Sequence, residues 1–279
     1  MNRRQTLKLL STAVVFTSIP HDVFAALKLL SVKKPVSMFE SPEKDYLYKI
    51  TNFEETNAQD FHLEESKLHV LDLTHQRLKR IQSLIGYANF GLVSIDEILN
   101  ISKAYVSVGR FSREELNFME MVFYKNSSVY GFLGEKPIKS FTEKLHKKDT
   151  IKVPGTGQYL YRGESLTKYN RIKKTIGEEV ILTSGLRGVA KQLYLFLNKT
   201  VKTKGNLSKA SRSLAPPGYS LHGIGDFDVG QRRFGVANFS IKFTSTPVYE
   251  KLIQSGFCDL RYKKDNRLGV RFEPWHIKV

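Results

Sequence analysis

The stretch Ser220-Leu-His-Gly-Ile-Gly-Asp-Phe-Asp-Val-Gly230 sets one histidine and two aspartates among three glycines. A turn needs glycine for its backbone and one Asp at most, so the remaining polar groups ask for a purpose. If residues 226–230 are extended, Asp226 and Asp228 share one face and Phe227 points into the opposite layer. Glycines at 223 and 225 make a tight turn into that strand feasible, because glycine tolerates positive φ. The stretch therefore reads as a turn that delivers carboxylates to the polar face of a half-buried strand.

Outward from it, helices and strands do not alternate regularly. Toward the N-terminus, Leu71, Leu78, Ile81 and Ile85 recur at helical spacing between Leu68 and Ala88. Ser94-Ile-Asp-Glu97 and Ser112-Arg-Glu-Glu115 carry the capping-box pattern. The second of these helices should run to about Tyr130 and stop at Gly131, with Phe111 stapled onto Leu116. After Pro137 the character changes. Residues 153–163 are turn-rich with short strand-like pieces. Ser165–Ile176 and Gly188–Thr200 read as helices around a short strand at Val180–Thr183, and Pro247–Ser255 as a further helix. Phe239–Phe243, Cys258–Tyr262 and Val270–Phe272 read as strands. This pattern favours α+β over a doubly wound sheet: a helical N-terminal region followed by a small antiparallel-sheet core. The expected organisation is 1–25 as an export signal, 26–150 as a mostly helical N-terminal region and 151–279 as the functional domain.

The leader reading rests on MNRRQTLK, a basic start, then LLSTAVVFTSI, an apolar run too short to span a membrane, then Val23-Phe24-Ala25 before a cleavage point. Asn2-Arg3-Arg4-Gln5-Thr6-Leu7-Lys8 is twin-arginine-like, with Thr6 where phenylalanine is usual, so both that route and ordinary secretion stay open. Losing Arg3, Arg4, Lys8 and Asp22 takes the net charge from +17 to +15. Such a charge favours an anionic partner. An exported protein meets little nucleic acid, and no nucleic-acid motif is present. The cell envelope, periplasm or wall, is the expected location, with no transmembrane span after the signal. The single cysteine, Cys258, excludes an intrachain disulfide and a cysteine-based metal cluster, and is expected as a buried small hydrophobe.

Of seven histidines, His21 leaves with the signal, and His62, His69, His75 and His146 lack patterned partners. His222 and His276 differ. His276 closes Phe272-Glu-Pro-Trp-His276, three residues after Glu273. Catalytic zinc takes three protein ligands and leaves a position open for water. His222, an aspartate of the 226–228 pair and His276 supply such a set. Two neutral imidazoles and one carboxylate keep the ion a strong Lewis acid, able to bring bound water to a pKa near ~7. Glu273 then has the separate task of taking that water's proton and passing it to a leaving amine.

These residues resemble the zinc D-alanyl-D-alanine carboxypeptidases of the VanY-like group, within the LAS metallopeptidases. The pattern Ser-x-His-x-x-Gly, an Asp, and a distant Glu-x-x-His is met by Ser220, His222, Gly225 and Glu273 with His276. Leu182-Thr-Ser-Gly-Leu-Arg187, followed by Gln192, matches the family's Ser-Gly-x-Arg segment. The resemblance covers about residues 151–279. It implies one zinc per chain held by His222, an aspartate and His276, with Glu273 as general base. It implies Arg187 as the group that polarises the scissile carbonyl, Ser220 and Gln192 with Arg187 as substrate-binding residues, and Trp275 as packing that fixes His276. The family places its Asp seven residues after the His, where this chain has Val229. Asp228, followed by Val-Gly as in close relatives, is the expected ligand. Asp226 remains the competitor, otherwise orienting His222 or staying solvated.

The implied function is an exported zinc metallopeptidase acting on peptidoglycan stem peptides, removing a terminal D-Ala. Endopeptidase or L,D-carboxypeptidase action on the same site, and a non-catalytic zinc-containing wall-binding protein, are the alternatives. Ser165-Leu-Thr-Lys168 fits the Ser-x-x-Lys of penicillin-binding enzymes, but no SDN or KTG partner follows, so it reads as a chance match on a helix.

Overall fold

A computed structural model describes residues 42–279, all within one compact unit of the chain. The expected export signal at 1–25 and the start of the expected N-terminal region lie outside the described residues. The architecture is α+β. Eight α-helices and five short strands are described: α1 (Pro42–Thr51), α2 (Leu68–Ile85), α3 (Ile95–Ala104), α4 (Arg113–Tyr124), β1 (Thr150–Val153), β2 (Gln158–Tyr161), α5 (Glu164–Ile176), β3 (Val180–Ser184), α6 (Val189–Lys202), α7 (Leu207–Ser213), β4 (Phe227–Gln231), α8 (Pro247–Gln254) and β5 (His276–Ile277). No helix among the described residues is long and apolar enough to cross a membrane.

Both expected capping boxes form. Ser94 accepts from the Glu97 amide and Ser112 from the Glu115 amide, and each glutamate reaches back to the cap backbone. Helix α4 ends at Tyr124, earlier than expected. Asn126 caps a separate 3-10 turn at Ser127–Tyr130, and Gly131, at φ 91°, closes that turn.

Strands β1 and β2 form an antiparallel hairpin, and β3, β4 and β5 form an antiparallel sheet in that order. Three expected strands are absent. Phe239–Phe243 lies across two 3-10 turns, Gly235–Phe239 and Ile241–Ser245, while Cys258–Tyr262 and Val270–Phe272 are irregular. The physical reason is pairing: β4 already has β3 on one edge and β5 on the other, so these segments have no free edge beside the buried strand. Cys258 is half-buried rather than buried, and its surroundings push the thiol pKa up to about 11.

The sheet has two unlike faces. Val180, Leu182, Phe227, Val229 and Ile277 pack with Tyr169, Ile172 and Ile176 of α5 and Val248 and Leu252 of α8. The alternate residues of β4 and β5, Asp228 and His276, turn the other way. A second core is built by α2, α3, α4 and α6, and joins residues before Thr150 (Leu78, Ile98, Phe123) to residues after it (Leu193, Phe196, Tyr262). The helical region and the sheet-bearing segment thus share one apolar interior.

A buried ion pair ties the segment after α1 to α7. Arg212 donates to Asp60 at 2.7 and 3.0 Å and to the Glu55 carbonyl, and Asn206 also donates to Asp60. Burial alone would raise the Asp60 pKa, but the bonds from Arg212, the Asn57 amide and Asn206 win and lower it. Such a pair stabilises above the unfolded carboxylate pKa of about 4, and its contribution is lost as pH falls through the depressed folded value. Asp60→Asn leaves Arg212 buried without its counter-charge and should cost about 3–5 kcal/mol at pH 7. Urea unfolding as a function of pH checks this, with the difference from wild type shrinking below about pH 4.

Candidate metal centre

The site is assembled on β4. Asp228 sits on the central strand, paired in register with Ser184 of β3 on one side and His276 of β5 on the other. His222 arrives from the 3-10 turn Leu221–Gly223. The Asp228 Oδ1 lies 3.2 Å from His222 Nε2 and 3.1 Å from His276 Nδ1. One donor atom from each of these three residues falls within 4.8 Å of the others, and all three side chains are buried. The two imidazoles cross nearly at right angles, with ring centroids 4.9 Å apart.

Each imidazole is set by its other nitrogen. His222 Nδ1 bonds to the Gly185 carbonyl at 2.9 Å. A carbonyl only accepts, so Nδ1 carries the proton and Nε2 offers its lone pair to the site. His276 Nε2 lies 3.0 Å from Asp226 Oδ2, which leaves Nδ1 as the inward atom. Asp226 is itself held by Arg261 at 2.8 Å and by the Val279 amide at 2.9 Å. A carboxylate behind a ligating histidine fixes the ring and raises its basicity. Asp226 therefore orients His276, not His222, and it is not solvated.

The electrostatics follow from these partners. Burial pulls the His222 pKa down to about 4, helped by Arg187, despite the attraction of Asp228. His276 suffers the same burial, but bonds to Asp226 and Asp228 overcome it and raise its pKa to about 9. Asp228 is buried, which opposes its charge, yet His222 and Arg187 hold its carboxyl well below the usual range. A buried anion with two imidazole nitrogens against it fits a divalent cation: nitrogen and carboxylate donors are those of a three-ligand catalytic zinc site. A divalent cation held there would take the place of the proton between His276 and Asp228.

Glu273 stands beside the set without joining it. Its Oε2 is 4.0 Å from His276 Nδ1, and burial pushes its pKa up to about 7. The backbone turn Glu273–His276, closed by the His276 amide on the Glu273 carbonyl, presents both residues. Between them Trp275 faces the apolar core and its carbonyl accepts from the Val229 amide. The Arg271 guanidinium lies 4.9 Å from the Trp275 ring and 4.6 Å from that of Phe53.

The Ser-Gly-Leu-Arg segment follows β3 and braces the His222 turn. The Arg187 amide donates to the His222 carbonyl at 3.2 Å. The Arg187 guanidinium reaches Ser184 Oγ at 2.8 and 2.9 Å and Asp228 Oδ2 at 2.7 Å. Gly185 has no room for a side chain, since a Cβ there would overlap the Tyr159 carbonyl oxygen. In the His222 turn the two expected glycine roles separate. Gly225 takes a positive φ of 126°, whereas Gly223 admits Ile138, whose side chain a Cβ would overlap.

The two other expected substrate groups, Gln192 and Ser220, lie close to the His222 turn. Gln192 donates to the Arg187 carbonyl at 2.7 Å and accepts from the Gly218 amide at 2.8 Å, so both ends of its amide hold loops together. In this arrangement the Gln192 side chain bridges the loop that carries Arg187 to the loop that leads into His222. Ser220 is buried at the start of the His222 turn. Ser165 donates to the Gly225 carbonyl and Lys168 to the Lys278 carbonyl, both structural bonds. Arg261 and Tyr262, whose ring lies 5.0 Å from that of His276, were not singled out in the sequence. No motif there marks them, because their role arises from a loop that returns beside β4.

Residues 163–279 match the family model VanY, D-alanyl-D-alanine carboxypeptidase. The match covers the C-terminal segment, less than half of the chain. Among solved structures, a point mutant of the vancomycin resistance D,D-pentapeptidase VanY from a VanB-type cassette, in complex with Zn(II), is 23% identical with a TM-score of 0.37, covering 46% of this chain and 76% of that one. The LD-carboxypeptidase LdcB is 21% identical with a TM-score of 0.36, covering 53% and 67%. The D,D-dipeptidase VanXYg, bound to a D-Ala-D-Ala phosphinate analogue, is 19% identical with a TM-score of 0.39, covering 53% and 58%. A search of curated proteins gives no match.

The two aspartates have separable roles. Asp228→Ala should abolish zinc binding. Asp226→Asn should retain a zinc site with affinity reduced about 10–100-fold, the usual effect of losing a carboxylate behind a ligating histidine. Metal analysis of the purified variants with a competing chelator reads both. Zinc lost from the Asp226 variant and kept by the Asp228 variant would reverse the assignment.

Proposed function

We propose that this protein is an exported zinc D-alanyl-D-alanine carboxypeptidase that trims the peptide stems of peptidoglycan. The observation that carries the reading is the convergence of His222 Nε2, Asp228 Oδ1 and His276 Nδ1 within 4.8 Å, with the Glu273 carboxylate beside them, in a segment that matches the VanY family model. Two imidazoles and a carboxylate suit zinc, and His222, Asp228 and His276 would hold it. A bound zinc supplies Lewis acidity and makes a nucleophile of water near neutral pH.

The chain's own residues do the rest. Glu273 accepts the proton of the attacking water on its carboxylate and delivers it to the departing amine nitrogen. A pKa lifted by burial toward the working pH suits both halves of that transfer. Arg187, anchored on Ser184, sets its guanidinium beside Asp228, where it would stabilise negative charge developing on the scissile carbonyl oxygen. Asp226 and Gly185 keep the two imidazoles in their ligating orientation. A purely structural zinc site needs neither Glu273 nor Arg187, so their presence favours hydrolysis over a binding role. Export rests on the leader at residues 1–25. The basic excess of the chain suits an anionic envelope.

Glu273→Gln should keep zinc near stoichiometric and lower turnover by roughly 10²–10⁴-fold. Near-wild-type hydrolysis of a D-Ala-D-Ala peptide by this variant removes Glu273 from the mechanism. Arg187→Lys keeps the charge but loses the planar fork. Its kcat should fall about 10²–10³-fold with zinc retained, the scale of losing one oxyanion donor. Metal content and kcat measured on the same sample separate a catalytic loss from a lost metal site.

A further inference from the structure

Beside the metal centre lies an open cleft of about 920 Å³. One wall is the loop Tyr219–Ile224, which carries His222. A second is Arg261 with Tyr262, the residue packed on His276. The third is Phe132–Lys139, from the segment that precedes the family-matching region, and it brings Lys136 and Lys139. That third wall is fixed to the first. The Ile138 amide donates to the Gly218 carbonyl at 3.1 Å, and Gly218 and Gly223 have no room for a Cβ against Lys136 and Ile138.

Charge and size describe the occupant. Three cations line the cleft, Lys136, Lys139 and Arg261, against one carboxylate, Glu135. Arg261 is already paired with Asp226, and Lys136 is turned over the Phe123 ring with its ammonium on the Phe123 carbonyl. Lys139 is exposed and makes no ion pair among the described residues. Ile224 at 51% exposure and the edge of Tyr219 supply apolar surface. A terminal alanine needs only a fraction of this volume, which matches pockets of about 300–1,000 Å³ that enclose much larger ligands.

We propose that this cleft holds the acyl side of the stem peptide, the part that remains after the terminal residue leaves, and that Lys139 recognises a free carboxylate on it. The helical region would then be part of the substrate site rather than only its support. The inference rests on the peptidase reading above and adds a specificity-determining residue outside the family segment.

The test compares three peptides ending in D-Ala-D-Ala: a full pentapeptide stem with its side carboxylates free, the same stem with those carboxylates amidated, and a short acylated D-Ala-D-Ala. Lys139→Glu should raise KM for the free-carboxylate stem about three- to tenfold, the scale of replacing one exposed attraction by a repulsion. It should leave kcat unchanged, and both parameters for the other two peptides within about twofold. The wild-type preference for the free-carboxylate stem should also weaken in high salt. Equal losses on all three peptides, or no change on any, overturn the role of the cleft while leaving the peptidase reading intact. If wild-type protein cuts none of the three, the peptidase reading fails. Calorimetric binding of the free-carboxylate stem to Glu273→Gln, with and without Lys139→Glu, then decides the cleft by itself. An unchanged Kd sinks it and a three- to tenfold rise upholds it.

Discussion

The structure depends on one buried anion. Asp228 sits at the middle of a three-stranded sheet, 2% exposed, with Phe227 and Val229 turned into the apolar layer behind it. Desolvating a carboxylate in such a place is costly unless charges and hydrogen bonds compensate. Here His222, His276 and Arg187 all converge on it. Each comes from a different part of the chain, so satisfying Asp228 draws the Ser-Gly-Leu-Arg loop, the His222 turn and the C-terminal strand to one point. The same constraint that shapes the fold builds a cation site.

Around that point the supporting bonds are backbone groups and buried polar side chains. Gly185 sets His222, Asp226 sets His276, and Gln192 bridges the two loops that carry Arg187 and His222. The helical region closes the arrangement from outside. Its loop at Gly91 accepts from the Gly188 amide, and its Ile138 packs under Gly223. A site that must hold geometry to fractions of an ångström gains from such packing, and residues before position 163 supply much of it.

Much of this was legible in the sequence, and the reasons are local. Capping boxes at Ser94 and Ser112 are short-range signals, and both form. His222, His276 and Glu273 stood out because each lies in a compact pattern with few structural uses. The alternation of Asp226, Phe227 and Asp228 correctly put both carboxylates on one face. What failed depended on partners distant in sequence. Phe239–Phe243, Cys258–Tyr262 and Val270–Phe272 have strand-like composition, but a strand exists only where an edge is free to pair. Strand β5 is two residues long and carries no periodicity at all. The role of Asp226 required knowing which face of the His276 ring meets it. That both ends of the Gln192 amide meet backbone partners depends on loops brought together by the fold. Arg261 and Tyr262 carry no local signal.

The proposed reaction is removal of the terminal residue of peptidoglycan stems at a zinc held by the buried carboxylate and two imidazoles. Digestion of purified muropeptides with mass analysis of the products tests it most directly, run with zinc-loaded protein and again after chelation. Pentapeptide stems should lose a single terminal alanine, and chelation should stop the reaction until zinc is restored. Stems left intact by the zinc-loaded protein, or cleavage that continues without metal, would contradict it.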